Sequence, residues 1–445
     1  MARNKLPQGQ FEADIIAMSH EGRGIARIDG KTVFIPYALE GEKVKFEYRF
    51  RKKNYDEGRL VEVVAPSKKR VSAPCAYFSY CGGCSFQHLS PEDQLTFKQK
   101  TLLSHFSHFG NGLQPGMLLP ALSSKPAEGY RTKARLGVRY VHKKQKVLVG
   151  FREVDGRFLA DIDHCEVLHP SVGKSLVALQ DLVASLSIYK EIPQIEVAVD
   201  DVRTALIIRH MAELNQTDLQ KLAEFAQQQQ VWIYLQSKGP ETIKRFYPDA
   251  SYEPTQMYYS IDDNINIYFE PNDFTQINRK MNQKMLKHAL DLLSLKQDDV
   301  VLDLFCGLGN FSLPLAKRAK RVIGVEGDHA MTQRAAINAK KNNLENIAFY
   351  AADLFEDFAQ SDWLRENQFD KLLLDPPRAG AENVCKKMHL IEPKRIVYVS
   401  CDPATLARDA GILVNEKGYK LVSAGVMDMF PHTTHVESIA VFDKC

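Results

Sequence analysis

No stretch of the 445-residue chain approaches the roughly 18 uninterrupted apolar residues that a membrane-spanning helix requires. The start Met1-Ala2-Arg3-Asn4-Lys5 runs into polar residues and not into an apolar leader core. Neither a membrane span nor an export signal is expected, and the cytoplasm is the expected compartment. There is no internal repeat, which excludes a repeat architecture. Cysteine is too scarce for a disulfide-held scaffold: eight residues in a chain of this length, in a reducing compartment, are expected to bind metal or do chemistry. With 44% hydrophobic and 25% charged residues the chain is neither disordered nor fibrous, and its length suits about three domains of roughly 150 residues.

The net charge of +3 conceals an asymmetry: residues 1–70 carry +5, residues 121–160 carry +7, and the remainder is acidic. A basic front third suits a phosphate-bearing partner, although a solvated basic face would look the same. From Phe11 to Val64, short strand-like runs alternate with glycine-containing turns, the pattern of a small barrel. The turns Ser19-His20-Glu21-Gly22-Arg23-Gly24 and Leu39-Glu40-Gly41-Glu42 make this stretch resemble the TRAM domain, an OB-like RNA-binding barrel. Within it, Arg49-Phe50-Arg51-Lys52-Lys53-Asn54-Tyr55 mixes cations and aromatics as a single-strand binding groove would, or as a charged hairpin would.

From Asp298 onward apolar strands alternate with amphipathic helices, which predicts a doubly wound parallel sheet with its ligand crevice at the carboxyl ends of the strands. Asp303-Leu304-Phe305-Cys306-Gly307-Leu308-Gly309-Asn310 falls where the first strand gives way to a helix. Its glycines permit a close backbone approach to a ligand. A dinucleotide site would want a third glycine at position 312, where Ser312 stands, and a phosphate site would want a cation, whereas Cys306 to Pro314 holds no Lys or Arg. The segment resembles the D-x-x-x-G-x-G motif of class I S-adenosylmethionine (SAM) methyltransferases. Glu326, at the next strand end, is then placed to accept ribose hydroxyls, and Asp353, at the following one, to meet the adenine amino group. Either acid could instead cap the helix after it.

Leu374-Asp375-Pro376-Pro377-Arg378 belongs to a turn type shared by methyltransferases that act on flat nitrogenous groups. Val399-Ser400-Cys401-Asp402-Pro403 adds a cysteine at the end of the fifth strand. Methylation at nitrogen needs no nucleophile; methylation at C5 of a pyrimidine does, because that carbon is too weakly nucleophilic until a group adds at C6. With Pro431-His432-Thr433-Thr434-His435-Val436-Glu437 near the C-terminus, the chain resembles the RNA uracil-C5 methyltransferase family nearly end to end. The resemblance implies Cys401 as nucleophile, with its thiol pKa lowered by its surroundings, and Glu437 as the base that removes the C5 proton. It implies Asp375 as a group that holds the uracil edge, and Gln276, in Asp273-Phe274-Thr275-Gln276-Ile277-Asn278, against the cofactor. Phe305, Asn310, Glu326, Asp353 and Asp375 complete the implied SAM site. His432 and His435 read as packing groups. Cys306, Cys385 and Cys445 have no role that the pattern supports.

Cys75, Cys81 and Cys84 form C-x5-C-x2-C, with Cys165 as the nearby fourth candidate. Four thiolates take either zinc or an iron–sulfur cluster. The C-x3-C-x2-C spacing of radical-SAM enzymes is absent. The family resemblance implies a [4Fe-4S] cluster and, with the barrel, points to the branch that modifies 23S rRNA, with a dual-site rRNA enzyme or a tRNA enzyme as alternatives. The chain is thus expected to hold a TRAM barrel (1–66), a central α+β iron–sulfur and RNA-binding domain (67–265) and a class I SAM methyltransferase domain (266–445). RNA is the expected partner, with no membrane and no obligate protein partner. A nicotinamide oxidoreductase and a non-catalytic RNA-binding protein are the rivals from other classes.

Overall fold

A computed structural model describes residues 6–249, 251, 256–262 and 265–445. The chain gathers into two compact units. The first holds the chain up to Phe97 together with Phe151–Ala160 and Phe430–Thr434, and the second holds Lys98–Gly150, Asp161–Met429 and His435–Cys445. The cysteine-bearing segment 75–84 falls with the barrel because its apolar neighbours do: Phe86 and Leu89 bury against Leu39 of the barrel, and Tyr37 meets the ring of Phe78 at 5.2 Å.

In the first unit, six strands lie in the order Phe11–Asp14, Lys43–Arg51, Tyr55–Ala65, Lys31–Pro36, Arg23–Ile28, Ala17–Met18. Alternation decides the inward face: Val33 and Ile35 of one strand and Val44 and Phe46 of another are buried, with the half-buried Phe34 and Lys45 between them. The two-residue turn Asp29-Gly30 has positive φ at both positions (51° and 77°), the geometry that matches strand twist in a tight hairpin. Gly22 is also left-handed, at φ 74°, and a Cβ there would collide with the Phe86 ring.

The second unit contains two sheets that matter for the site. A six-stranded sheet runs Lys244–Tyr247, Val231–Gln236, Thr204–Arg209, Gln194–Val199, Lys133–Val141, Lys146–Gly150. Its one parallel pair, Thr204–Arg209 with Val231–Gln236, is joined by the helix Gln216–Gln229, which starts with a capping box between Asn215 and Asp218. The eight-stranded sheet runs Ile347–Ala351, Arg321–Glu326, Val300–Leu304, Lys371–Leu374, Arg395–Ser400, Glu437–Lys444, Tyr419–Met427, Met117–Leu118.

The first five strands of that sheet are parallel, and Glu437–Lys444 enters antiparallel beside Arg395–Ser400. Strand order reverses on either side of Val300–Leu304, the switch point at which doubly wound sheets open a ligand crevice. The strands are apolar throughout, as burial on both faces demands: Leu302, Val322, Leu373 and Val397 are all at 0% exposure. Asn278 caps the helix Arg279–Leu293, whose buried stripe is Met281, Met285, Leu286, Ala289, Leu290 and Leu293. Asp402 caps the helix Pro403–Glu416 by accepting from the backbone N–H groups of Ala404 (2.9 Å) and Thr405 (3.2 Å). Two elements are shorter than the sequence pattern suggests: the helix after the glycine motif spans only Ser312–Ala316, and the third strand ends at Ala351, two residues before Asp353. Among the described residues no helix is long and apolar enough to cross a membrane.

Candidate active site

At the carboxyl end of Val300–Leu304 the chain turns through Phe305 (φ 65°), Gly307 (φ 55°) and Gly309 (φ 90°). A Cβ on Gly307 would meet nothing within 4 Å, so the backbone faces open space there, whereas one on Gly309 would strike Leu313. Glu326 is the last residue of its strand. Its Oε2 accepts from the Gly307 N–H at 3.1 Å and its Oε1 from the Asp328 N–H at 3.1 Å, which fixes the carboxylate beside the glycine turn. Asp353 is exposed and accepts from the Phe355 N–H at 2.9 Å; the Phe355 ring, half exposed, stands 5.9 Å from that of Phe305. An open glycine turn beside a hydrogen-bonding acid and an aromatic pair fits an adenosyl group better than a phosphate.

Two residues of this region behave otherwise than the motif suggests. Asp303 is not a strand-end acid: it lies within Val300–Leu304, fully buried, accepting from the Ser312 hydroxyl, and burial pushes its carboxyl up to about 8. Asn310 is committed to a protein network, its Oδ1 accepting from the Tyr259 hydroxyl (3.0 Å) and from Asn282 (3.0 Å) while its Nδ2 donates to Asn282 (2.9 Å). Gln276 lies between two anchors. Asp273 pairs with Arg334 at 2.6 Å on one side, and Asn278 caps its helix on the other.

The second cluster stands at the next strand ends. Ser400 pairs with Ser438 in the antiparallel register, so continuing that register by one residue sets Cys401 opposite Glu437. Cys401 is held in a tight turn: the Ser400 hydroxyl donates to the Asp402 carbonyl (2.9 Å) and accepts from the Asp402 N–H (3.1 Å). Asp375 follows Lys371–Leu374, and its N–H donates to the Leu304 carbonyl at 3.4 Å.

Glu437, 3% exposed, is not the surface charge that a terminal hairpin usually carries. Burial, and then the neighbouring Asp375, hold its carboxyl well above the usual range. Burial alone pushes Asp375 up to about 7. The Cys401 thiol is raised as well, to about 11, by burial first and then by Glu437 and Asp375. This reverses the expected lowering: two acids facing a half-buried sulfur oppose a thiolate more than Arg378 favours one.

The sequence reading missed Lys98 and Asp428. They form an ion pair at 2.7 Å with side-chain exposures of 0% and 2%, and the lysine charge acts on Glu437. A signal was present: Gln94, Lys98, Leu102 and Phe106 follow one another at helical spacing on the buried stripe of the helix Pro91–Phe109, where a lysine is out of place.

In the first unit, His432 is buried and its N–H donates to Gln94 Oε1 at 2.8 Å, in keeping with a packing role. Cys75, Cys81 and Cys84 belong to this unit and Cys165 to the other. The cysteine loop is tied down by the Gly82 N–H on the Arg152 carbonyl (2.8 Å), the Cys75 N–H on Gln87 Oε1 (3.0 Å) and the Gly83 N–H on Cys81 Sγ (3.5 Å). Among the described residues no group of three or more His, Cys, Asp or Glu is gathered as a metal site. Cys306 and Cys385 are buried and Cys445 is exposed.

Comparison with known proteins agrees with this geometry. The tRNA (Uracil-5-)-methyltransferase family profile matches residues 93–445, and the TRAM domain profile matches residues 10–61. A relative from Francisella tularensis subsp. novicida, the 23S rRNA (uracil(1939)-C(5))-methyltransferase RlmD, is 57% identical over 99% of this chain and 98% of its own length. One of the same name from Nitrosococcus oceani is 50% identical over the same shares. Among solved structures, the Pyrococcus abyssi tRNA (uracil-54, C5)-methyltransferase, in complex with S-adenosyl-L-homocysteine, superposes with a TM-score of 0.75 at 24% identity. That match covers 97% of this chain and 99% of the other, and it bears on the fold. With the family profile spanning most of the chain and the relatives aligning from end to end, the chain belongs to the RNA (uracil-5-)-methyltransferase family.

Proposed function

We propose that this chain is a cytoplasmic enzyme that methylates C5 of a uracil in 23S rRNA. The observation that carries the reading is the strand register that sets Cys401 opposite Glu437, with Asp375 at the adjoining strand end. The full-length relatives named for 23S rRNA supply the substrate. SAM supplies the methyl group as an electrophile. Glu326 would take the ribose hydroxyls, Phe305, Phe355 and Asp353 the adenine side, and Gln276 and Asn310 the flank of the cofactor pocket.

Cys401 Sγ adds to C6 of the uracil, which turns C5 into a nucleophile. Asp375, whose carboxyl is raised to about 7, can donate or accept a hydrogen bond at the uracil edge and hold the ring in plane. After C5 is methylated, Glu437 takes the C5 proton and the C6–S bond breaks, so the ring is restored and the thiolate returns. The raised thiol means that the resting enzyme holds a neutral Cys401, so its proton passes to water as the sulfur attacks and is regained when the thiolate is released. The target base has to be unstacked from the RNA to reach a crevice of this kind. On the barrel, Arg49 packs over the half-exposed Phe50 ring at 5.1 Å, a surface suited to unpaired bases.

Cys75, Cys81, Cys84 and Cys165 are read as the ligands of a [4Fe-4S] cluster. The thiol-only donor set and the N–H on Cys81 Sγ fit such a group, which would brace the cysteine loop and has no part in the methyl transfer. Iron and sulfide analysis of anaerobically purified protein tests that assignment. The catalytic reading is tested by incubating the enzyme with SAM and 23S rRNA fragments that carry 5-fluorouridine. Fluorine cannot leave as a proton does, so a denaturant-resistant adduct mapped to Cys401 is expected. No adduct on any rRNA fragment, from a protein that binds SAM, would reject the 23S rRNA assignment, and an adduct with tRNA instead would move the substrate there.

A further inference from the structure

The ion pair Lys98–Asp428 sits in the core at full burial, and Asp428 directly follows Met427, the register partner of Glu437. We propose that Lys98, held by Asp428, is a positioning residue for Glu437: its ammonium is the counter-charge that keeps the buried carboxylate available as a base. This inference rests on the reading of Glu437 as the base that removes the C5 proton.

Stability alone is a weak reason for the pair. Two buried charges lose their hydration, and replacing such a pair with apolar side chains of similar size is often neutral or favourable. The surroundings of Glu437 supply a better one. The groups facing it are Asp375 after one strand, Cys401 after the next, and Lys98 from the helix Pro91–Phe109; of the other charged groups nearby, Arg378 acts on Cys401, and Arg378, Lys98 and Arg131 act on His435.

Burial and Asp375 both oppose a charged Glu437, and Lys98 is the cation that opposes them. Burial in turn pushes Lys98 down, while Asp428 first and Glu437 second hold its charge. Asp428 thus does for Lys98 what Lys98 does for Glu437, and all three side chains are out of contact with solvent.

The test is the pH dependence of the single-turnover step in which the covalent RNA adduct breaks down, measured on the full chain with SAM and an rRNA fragment. Removing Lys98 alone would leave Asp428 buried and unpaired, so the informative variant is the double change Lys98→Met with Asp428→Leu. Folding is checked by its melting curve and by SAM binding. Loss of the nearby cation disfavours the carboxylate, so the acid limb should move up by about one pH unit or more. The rate at pH 7 should then fall about tenfold and recover as pH rises.

Asp428→Asn should move the limb the same way by a smaller amount, because it removes the acid that holds the charge on Lys98. This variant serves if the double variant does not fold. A folded variant whose limb matches the wild type overturns the proposal. Glu437→Gln is run beside them. If it traps the adduct while the other variants leave the limb in place, only the role of Lys98 is lost. If it turns over normally, both readings fall.

Discussion

The two acid clusters at the strand ends are built on opposite lines. Glu326, at the glycine turn, is partly open to solvent and accepts from two backbone N–H groups. Glu437, four strands away across the sheet, is buried between another acid and a buried lysine. A carboxylate that binds hydroxyl groups needs fixed geometry, and backbone donors supply it. A carboxylate that takes a proton must be close to changing charge, and burial supplies that. In the proposed mechanism one fold therefore handles binding at the switch point and proton transfer at the inserted antiparallel strand.

The largest expected effect breaks the proton-transfer end outright. Cys401→Ala should lower turnover by at least about 10⁴-fold while SAM and RNA affinities stay near wild type, as measured by transfer of labelled methyl and by equilibrium binding. Glu437→Gln should lower turnover on the order of 10²- to 10⁴-fold and, unlike Cys401→Ala, should accumulate a protein–RNA adduct on denaturing gels. Equal behaviour of the two variants would mean that Glu437 acts before the adduct forms.

The raised thiol makes a third prediction with a definite sign. A thiol titrating near 11 in place of the ordinary 9 has roughly a hundredfold less thiolate at pH 8, so iodoacetamide should label Cys401 about that much more slowly than an unhindered thiol. Site-resolved mass spectrometry should show the rate still climbing above pH 9. A plateau below pH 8 would mean that the acids facing it do not govern the sulfur.

The smallest effect belongs to the binding end. Glu326→Ala should weaken SAM about tenfold by calorimetry. Unchanged SAM affinity would erase the contrast between the two clusters.

Much of this was legible in the residues. Short strand-like runs between glycine turns marked the barrel strands around Val33 and Phe46, and apolar runs marked the parallel strands, because turns and two-sided burial each leave a local trace in the chain. The glycine turn at 307–309 and the Ser400-Cys401-Asp402 turn carried local signatures, since tight turns and helix caps admit few residue types.

The illegible part came from contacts remote in sequence. Glu437 was implied as a base by the resemblance alone, since a glutamate in a terminal hairpin is usually a surface charge, and only its pairing beside Arg395–Ser400 buries it. Asp303 opened the glycine motif, and the structure makes it an internal acid that accepts from Ser312. The grouping of the cysteine loop with the barrel followed from Phe86 and Leu89 finding Leu39, a contact that no local pattern encodes.

By itself, then, the sequence determined the kind of chemistry, because a cysteine, a Pro-Pro turn and a glycine turn at successive strand ends are needed whatever surrounds them. The tertiary structure alone decided the charge states of the reacting groups. A pKa depends on which charges and how much water lie within a few ångströms, and Lys98 and Asp428, 330 residues apart in the chain, become neighbours of Glu437 only when the sheet closes.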